Sequence, residues 1–465
     1  MKAQKVFRFN KRFYTYIITL IVLIAVIFTL PIITKGEKQI SLFYSPAANG
    51  SAVLLDGTDS EKTVPGKSIS CVRYNSDSSA CAVLMSAGES YSLYTVRNKN
   101  ITHVSDNCTN DFVFSFNGRN VIYRTNSGDL FNGKKLIDED VLSFATSPRC
   151  SAVIYLKKED NINKLYLNLN GKKSFVNTNY TPLAVSDNGK ELYVLSADNS
   201  LFILNADGTM KSKICSGVQP DYFLFSKNLD SIVFSDSEYT YISVEGKSKT
   251  RLVPGKAKPV FINQNENRLD SAGTAVICDS RELTDLFYSA TNDDSTWALF
   301  YVNKDCSRID IAGSVKKFVV TGNDTMSYLD SMGKIYKFNG ATSELVVSGA
   351  SNFEATKNNR YIYYMTTAKE LYSVKRSNVQ LIANDVSKIY LNNSDELFVI
   401  TTDKTLYEVN GAKKSDPLDS DVIFCSGEGD ITYFAKNFRS ETGTFDLYSS
   451  VDGGKFDLAV NGVMK

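Results

Sequence analysis

Short apolar runs that alternate with polar positions, separated by turn-forming residues, recur along the chain. The clearest example extends from Leu183 to Asp207 and contains three such runs. A DNG turn at 187–189 separates the first two runs, and a DN pair at 198–199 separates the second from the third. Alternation with a period of two residues between Asp, Asn and Gly turns predicts antiparallel strands joined by tight hairpins.

This pattern repeats about ten times. Each repeat can be anchored on the small polar residue that ends its first apolar run. The anchors are Ser76, Asn117, Ser147, Ser186, Ser226, Asn263, Thr321, Thr356, Asn392 and Ser426. Most anchors lie roughly 35 to 40 residues apart, which is typical of propeller blades. A β-sandwich or a solenoid is the alternative, but sandwiches do not keep one period over about 400 residues.

The repeats predict an all-β fold, a β-propeller of about 40-residue, four-stranded blades. One large ring is preferred, and two smaller rings remain an alternative. Each blade has too little core of its own, so we expect neighbouring blades to bury the faces between them.

The N-terminal segment has a different pattern. Residues 1–12 contain five basic residues and no acidic one, and residues 13–34 contain no charge. About 20 apolar residues span a bilayer, and basic residues before the span favour a cytoplasmic N-terminus. A cleaved signal peptide is the alternative, but the first small-residue cluster, at 45–48, lies well beyond the apolar run.

We therefore predict a cytoplasmic tail (1–12), one transmembrane helix (13–34), a linker (35–47) and an extracytoplasmic propeller (48–465). The protein would be a single-pass protein of the cell membrane, with the bulk of the chain outside the cytoplasm.

Three repeat segments carry a resemblance to a known family. They are SDSS at 76–79, SDNGKELY at 186–193 and NNRYIYY at 358–364. They are similar to the S-x-D-G-K-x-I-x-Y core of TolB-like, WD-type β-propeller repeats. The combination of tail, span and outer propeller resembles membrane-anchored proteins of Gram-positive bacteria. The resemblance covers roughly residues 48–465 and implies a propeller that serves as a platform for binding other proteins.

Charge and motif content exclude several functions. The chain has 52 basic and 51 acidic residues and no basic stripe, so a nucleic-acid partner is not expected. His103 is the single histidine, and G-x-S-x-G and C-x-x-C are both absent. The segment GDLFNGKK at 128–135 ends in Lys where a P-loop requires Ser or Thr. We predict no catalytic residue, no cofactor and no metal site.

The eight cysteines leave two alternatives open. They are small buried residues of the blade cores, or some form disulfides outside the cytoplasm. Cys71 and Cys81 flank a predicted turn, so they form the candidate pair.

The most favoured function is a non-catalytic binding or scaffold protein at the cell surface, with a protein or cell-wall ligand as partner. One alternative is a hydrolase of cell-wall glycan that uses two carboxylates in the propeller channel. Another is a sensor that acts through a membrane partner, because a 12-residue tail is too short for a signalling domain.

The Asn263 repeat carries roughly 20 residues more than the common period. Loops on a rigid scaffold often carry function, and Trp is favoured at binding hot spots. The candidate binding loop consists of Arg281, Asp285, Asp293, Asp294 and Trp297. The alternative is a solvated hairpin with the Trp side chain packed between blades.

Overall fold

The computed structural model describes a β-rich chain. The described residues are 41–44, 52–55, 62–64, 68–87, 90–97, 100–261, 266–292, 295–392, 394–428, 431–441, 444–451 and 457–464. All of them belong to one compact unit, residues 39–465. The predicted cytoplasmic tail and transmembrane helix lie outside these residues. Within them, no helix has the length and apolar character needed to cross a bilayer.

The first four sheets follow the order of the chain. Sheet 1 contains β1 (Ser41–Tyr44), β2 (Ala52–Leu55) and β3 (Lys62–Val64). Sheet 2 contains β4 (Ser68–Tyr74), β5 (Ala80–Ala87), β6 (Ser90–Arg97), β7 (Asn100–Phe114), β8 (Val121–Thr125), β9 (Leu130–Asn132) and β10 (Lys135–Asp138). Sheet 3 contains β11 (Val141–Thr146), β12 (Ala152–Glu159), β13 (Ile162–Leu169) and β14 (Lys172–Thr178). Sheet 4 contains β15 (Tyr180–Val185), β16 (Glu191–Ser196), β17 (Leu201–Asn205) and β18 (Met210–Cys215).

The middle of the chain forms sheets 5 and 6. Sheet 5 contains β19 (Phe223–Phe225), β20 (Ser231–Ser235), β21 (Tyr239–Val244) and β22 (Thr250–Pro254), together with β24 (Asn267–Arg268) and β25 (Ala275–Ile277). Sheet 6 contains β23 (Ala257–Val260), β26 (Leu286–Thr291), β27 (Trp297–Val302), β28 (Arg308–Val320), β29 (Met326–Asp330), β30 (Lys334–Phe338) and β31 (Ser343–Ser348).

Three sheets follow. Sheet 7 contains β32 (Ala350–Ala355), β33 (Ile362–Thr366), β34 (Leu371–Lys375) and β35 (Asn378–Ala383), with a 3-10 turn (Lys357–Asn359) after β32. Sheet 8 contains β36 (Val386–Leu391), β37 (Leu397–Thr401), β38 (Leu406–Asn410) and β39 (Lys413–Lys414). Sheet 9 contains β40 (Phe424–Glu428), β41 (Ile431–Arg439), β42 (Thr444–Val451) and β43 (Asp457–Met464).

The two seven-stranded sheets each contain two repeats that share a strand. β7 has 15 residues and pairs with β6 near its start and with β8 near its end. β28, with 13 residues, joins β27 and β29 in the same way. Counted in this way, the described residues contain ten four-stranded antiparallel units. The prediction of about ten repeats in an all-β chain is confirmed, and the units are consistent with a β-propeller.

One hydrogen bond recurs where the first strand of a unit turns into its second. The side-chain oxygen of Ser186 accepts the N–H of Glu191, five residues later, at 3.0 Å. Equivalent bonds join Ser147 to Ala152 at 3.2 Å and Ser226 to Ser231 at 3.0 Å. This polar cap satisfies a backbone donor inside a tight turn. It explains why a small polar residue marks the period of the sequence.

Two predicted anchors are displaced from the cap. The residue that caps the first turn is Asn75, which accepts the Ala80 N–H at 3.0 Å, and not Ser76. In the next unit the cap is Ser115, which accepts the Asn120 N–H at 2.8 Å, and not Asn117. The predicted anchor at 263 lies outside the described residues.

The core lies between neighbouring units. One cluster joins sheets 3 and 4 through Ile154 and Val194, and another joins sheets 5 and 6 through Val253 and Phe300. Further clusters lie between sheets 2 and 3, 4 and 5, 6 and 7, 7 and 8, and 8 and 9. Each unit therefore buries its apolar faces against its neighbours, as expected from the repeat.

Candidate functional site

The extra residues of sheet 6 form a hairpin that joins a different sheet. Between β23 and β26 the chain leaves sheet 6, and β24 and β25 pair with each other in antiparallel fashion. β25 then pairs in parallel with β19, the first strand of sheet 5, through Phe223↔Ala275 and Phe225↔Ile277. We call residues 266–278 the cross-sheet hairpin.

The cross-sheet hairpin is bonded to sheets far from it in sequence. The Leu269 carbonyl accepts the N–H of Thr146 at 2.7 Å, and Ser271 donates its N–H to the Phe144 carbonyl at 2.8 Å. The Asn267 side-chain amide donates to the carbonyl of Tyr74, the last residue of β4, at 2.8 Å.

Residues of two further units surround the hairpin. Leu183 of β15 shares a buried cluster with Leu269, and Phe114 of β7 lines one cavity with Asn267. The hairpin is therefore bonded to the first strands of three units, β4, β11 and β19, lies beside β7, and shares an apolar cluster with β15.

The hairpin turn repeats the cap of the units. Asp270 accepts the N–H of Ala275 at 3.1 Å and the hydroxyl of Thr274 at 2.6 Å. The Asp270 side chain is buried, and this burial raises the pKa of its carboxyl above the usual value, although the hydrogen bonds oppose the shift.

A cavity of about 260 Å³ lies where the cross-sheet hairpin meets sheet 2. Its lining residues are Cys71, Val72, Arg73, Tyr74, Phe114, Glu266, Asn267 and Arg268. We call it the β4–β24 pocket. It combines the end of one β-strand with the start of the inserted hairpin, so neither segment alone would reveal it.

Arg73 is the most unusual residue of this pocket. Its guanidinium carbon lies 3.8 Å from the ring centroid of Phe112, and Nη2 donates to the Asn110 carbonyl at 3.5 Å. The Nε and Nη1 atoms are buried and make no hydrogen bond of normal geometry, although the neighbouring Cys71 thiol interacts with the guanidinium and partly offsets the lowering of its pKa by burial. Burial, and next the positive charge of Arg268, lower the pKa of Arg73 to about 10, so the side chain is still a cation at neutral pH.

The two acidic groups near these arginines each accept a hydrogen bond from another residue. Asp111 accepts a hydrogen bond from Arg124 Nε at 3.0 Å. Glu266, the acidic residue of the pocket lining, accepts the hydroxyl proton of Tyr222 at 2.9 Å. The carbonyl oxygen of the Asn267 side chain is buried without a partner. The pocket lining thus combines the two cations Arg73 and Arg268, the carboxylate of Glu266 and one neutral acceptor, the side-chain oxygen of Asn267.

The described residues of the binding loop predicted from the sequence do not line the β4–β24 pocket. Arg281 is exposed, whereas Asp285 accepts the hydroxyl proton of Tyr301 at 2.6 Å. Trp297 is half-buried at the start of β27, with its ring edge-to-face with Phe318 at a centroid distance of 5.7 Å. Asp293 and Asp294 lie outside the described residues.

A serine-type catalytic triad does not form around His103. Its Nε2 lies 2.8 Å from Asp106 Oδ1, and the Ser92 hydroxyl donates to that same oxygen at 2.9 Å. The carboxylate therefore lies between the serine and the imidazole, whereas a triad needs the imidazole beside the serine. In the described part of the chain, no group of three or more His, Cys, Asp or Glu side chains is placed to hold a metal ion.

All eight cysteines are free thiols. In the β4–β5 hairpin Cys71 lies opposite Leu84 and Cys81 lies opposite Tyr74, so the candidate pair is out of register. Burial raises the pKa of Cys150 and Cys278 to about 12, which leaves these thiols protonated and unreactive at neutral pH. Of the two alternatives left open by the sequence, Cys150 and Cys278 match the first: they are small buried residues of the core.

Among the comparisons with known proteins, only the comparison with solved structures finds similar proteins. No protein-family description and no curated protein matches the sequence. A eukaryotic initiation factor is 9% identical, with 92% of this chain and 98% of that chain covered and a TM-score of 0.41. The tricorn protease is 10% identical, with 91% and 58% covered and a TM-score of 0.32. TolB from Acinetobacter baumannii is 13% identical, with 52% and 66% covered and a TM-score of 0.32.

Proposed function

We propose that this protein is a non-catalytic binding protein, built as a β-propeller and anchored in the cell membrane. One observation carries the binding role. The cross-sheet hairpin is bonded to the first strands of three units, β4, β11 and β19, and at the pocket beside it two buried nitrogens of the Arg73 guanidinium, Nε and Nη1, lack a hydrogen-bond acceptor. A buried cation with unsatisfied hydrogen-bond donors is costly, so it is retained most readily where a ligand supplies the missing acceptors.

The hydrolase alternative has less support. A glycosidase needs two carboxyl groups about 5–9.5 Å apart across one pocket. The β4–β24 pocket has a single carboxylate in its lining, Glu266, which is bonded to Tyr222. Its arginines would hold an anion in place and would not provide the acid and the base of glycoside cleavage.

We further propose that the ten four-stranded units belong to one ring. The support is that apolar clusters continue across every junction from sheet 2 to sheet 9, including the junction between sheets 5 and 6. Deleting the chain after Ser426 removes the last two residues of β40 and all of β41–β43, and tests this arrangement. One ring predicts that the whole β structure melts at a lower temperature, whereas two rings predict that one of two transitions is unchanged.

The membrane anchor is a separate part of the proposal and rests on the uncharged segment 13–34. Protease added to bacterial spheroplasts that express the full chain should degrade everything beyond this segment. Protection of the bulk of the chain would contradict the proposed orientation.

Capture of a ligand from the membrane tests the binding role. The full chain, tagged at its C-terminus, would be crosslinked in intact cells and recovered after detergent extraction. We expect a protein or a cell-wall fragment that is absent when Arg73→Gln is used and present with the exposed control Arg360→Gln. Equal recovery with both variants would remove the pocket from the proposal. Hydrolysis of wall glycan by the purified chain would contradict the non-catalytic role.

A further inference from the structure

We propose that the β4–β24 pocket binds an oxyanion, a phosphate or carboxylate group, held between Arg73 and Arg268. This inference rests on the proposed binding function and names the chemistry of its ligand.

The first step is the state of Arg73. A guanidinium carries five N–H donors and no acceptor. Here one contact, from Nη2 to the Asn110 carbonyl, is long at 3.5 Å. The two other nitrogens are buried and make no hydrogen bond of normal geometry, and the thiol of Cys71 is only a weak acceptor for them. Phe112 covers the guanidinium at 3.8 Å but accepts no conventional hydrogen bond. A group that accepts hydrogen bonds and carries negative charge would complete this site.

The second step is the neighbouring charge. Arg73 and Arg268 line the same cavity. The positive charge of Arg268 lowers the pKa of Arg73, because the two cations repel each other. Asp111 is held by Arg124, and its charge has the weakest of the effects on Arg73. An oxyanion between the two guanidinium groups would turn this repulsion into two attractions, which is the usual role of paired arginines at phosphate and carboxylate sites.

The third step concerns size and the neutral acceptor. The cavity, about 260 Å³, is smaller than the range of about 300–1,000 Å³ that is usual for pockets of drug-sized ligands. It therefore suits one acidic group and its immediate substituent. The partnerless side-chain oxygen of Asn267 favours a hydroxyl group on that substituent. A sugar acid and a polyol phosphate both carry this combination.

The test uses the full chain in detergent and four sodium salts at equal ionic strength: phosphate, glycerol phosphate, glucuronate and chloride. Thermal melting and calorimetric titration are measured for each. We expect at least one oxyanion to raise the melting midpoint above the chloride value and to bind saturably. The glycerol phosphate and glucuronate arms distinguish phosphate recognition from carboxylate recognition.

Three variants locate the site. Arg268→Gln changes an exposed side chain, so it should fold, and it should weaken binding about tenfold because one charged hydrogen-bonding group is lost. Arg73→Gln should weaken binding more. Arg360→Gln, an exposed arginine on the loop after β32, should bind like the wild type. If Arg73→Gln does not fold, Arg268→Gln alone decides the question.

Two results would overturn the inference: no oxyanion stabilises the protein beyond chloride, or the affinity is unchanged in Arg268→Gln. If either result is obtained while the wild-type chain still captures a ligand from membranes, the oxyanion inference is wrong and the proposed binding function stands. If an oxyanion binds but no ligand is captured from membranes, the oxyanion site would stand and the proposed binding function would be contradicted.

Discussion

Thr146 donates its backbone N–H to the carbonyl of Leu269 at 2.7 Å, although 123 positions separate the two residues in the chain. Both residues are buried. A buried backbone group that loses its partner is costly, so this bond requires the hairpin to stay in place. The insertion in sheet 6 therefore belongs to the core that sheets 3, 4 and 5 share and is not a surface loop over that part of its length.

This role predicts a large effect of truncating Leu269. Leu269→Ala should destabilise the protein by about 2–5 kcal/mol, because it removes buried methyl groups at a place where several units meet. Leu345→Ala, on the exposed strand β31, should change the stability by less than about 0.5 kcal/mol. Thermal melting of both variants measures the difference. Equal midpoints would mean that the hairpin does not hold the sheets.

Two glycines provide a second, matched comparison. Gly208 and Gly217 both have positive φ, +83° and +67°. A Cβ on Gly208 would lie 1.9 Å from the Val176 carbonyl oxygen, whereas a Cβ on Gly217 would meet nothing within 4 Å. Both Ala variants bear the cost of a left-handed backbone, about 1–2 kcal/mol.

Gly208→Ala should therefore be about 1–3 kcal/mol less stable than Gly217→Ala, because the neighbouring strand β14 must also move. Chemical denaturation of the two variants gives this difference directly. Similar stabilities would show that sheets 3 and 4 are not held together at this point.

The repeats could be predicted from the sequence because their signals are local. The period reflects a side-chain cap that closes over five residues, as between Ser186 and Glu191. The predicted anchors of the first two repeats are displaced because each cap has another polar residue close to it in the sequence. Asn75 and Ser76 are adjacent polar residues, and the pattern alone does not show which side chain accepts the bond.

The candidate site could not be predicted in the same way. Asn267 and Tyr74 are 193 positions apart, and their contact depends on how the hairpin crosses between sheets. β24 has only two residues, too few for a period to be visible. The one local signal of the pocket was Arg73, the single charged residue of strand β4. This signal is ambiguous, because alternation along a strand also places charged residues at the protein surface.

The binding loop predicted from the sequence can be tested by comparing a half-buried residue, Trp297, with an exposed one, Arg281. Trp297→Ala should lower the melting midpoint, because the ring packs against Phe318 at 5.7 Å. Arg281→Ala, at an exposed position, should leave the midpoint unchanged. If the loop contacts the partner, Arg281→Ala should reduce ligand capture in the membrane experiment. Unchanged capture with a destabilised Trp297→Ala would assign this segment a packing role alone.

Asp270 predicts a pH dependence of stability with a definite sign. Burial raises the pKa of its carboxyl in the folded protein above the unfolded value of about 3.9. The folded state therefore binds the proton more tightly than the unfolded state does. The resulting stabilisation is fully present below the unfolded pKa and is lost as the pH rises through the raised folded pKa.

Asp270→Asn isolates this contribution, because the amide keeps an acceptor for the Ala275 N–H and does not titrate. Relative to this variant, the wild type should become more stable as the pH falls from about 7 to about 4. Other carboxylates titrate in both proteins, so the difference between the two curves, measured by denaturant unfolding, is the informative quantity. A difference that stays constant with pH, or that grows as the pH rises, would show that the folded carboxyl does not hold its proton more tightly. The hairpin turn would then contain a charged aspartate stabilised by Thr274 and the backbone, and burial would not dominate its titration.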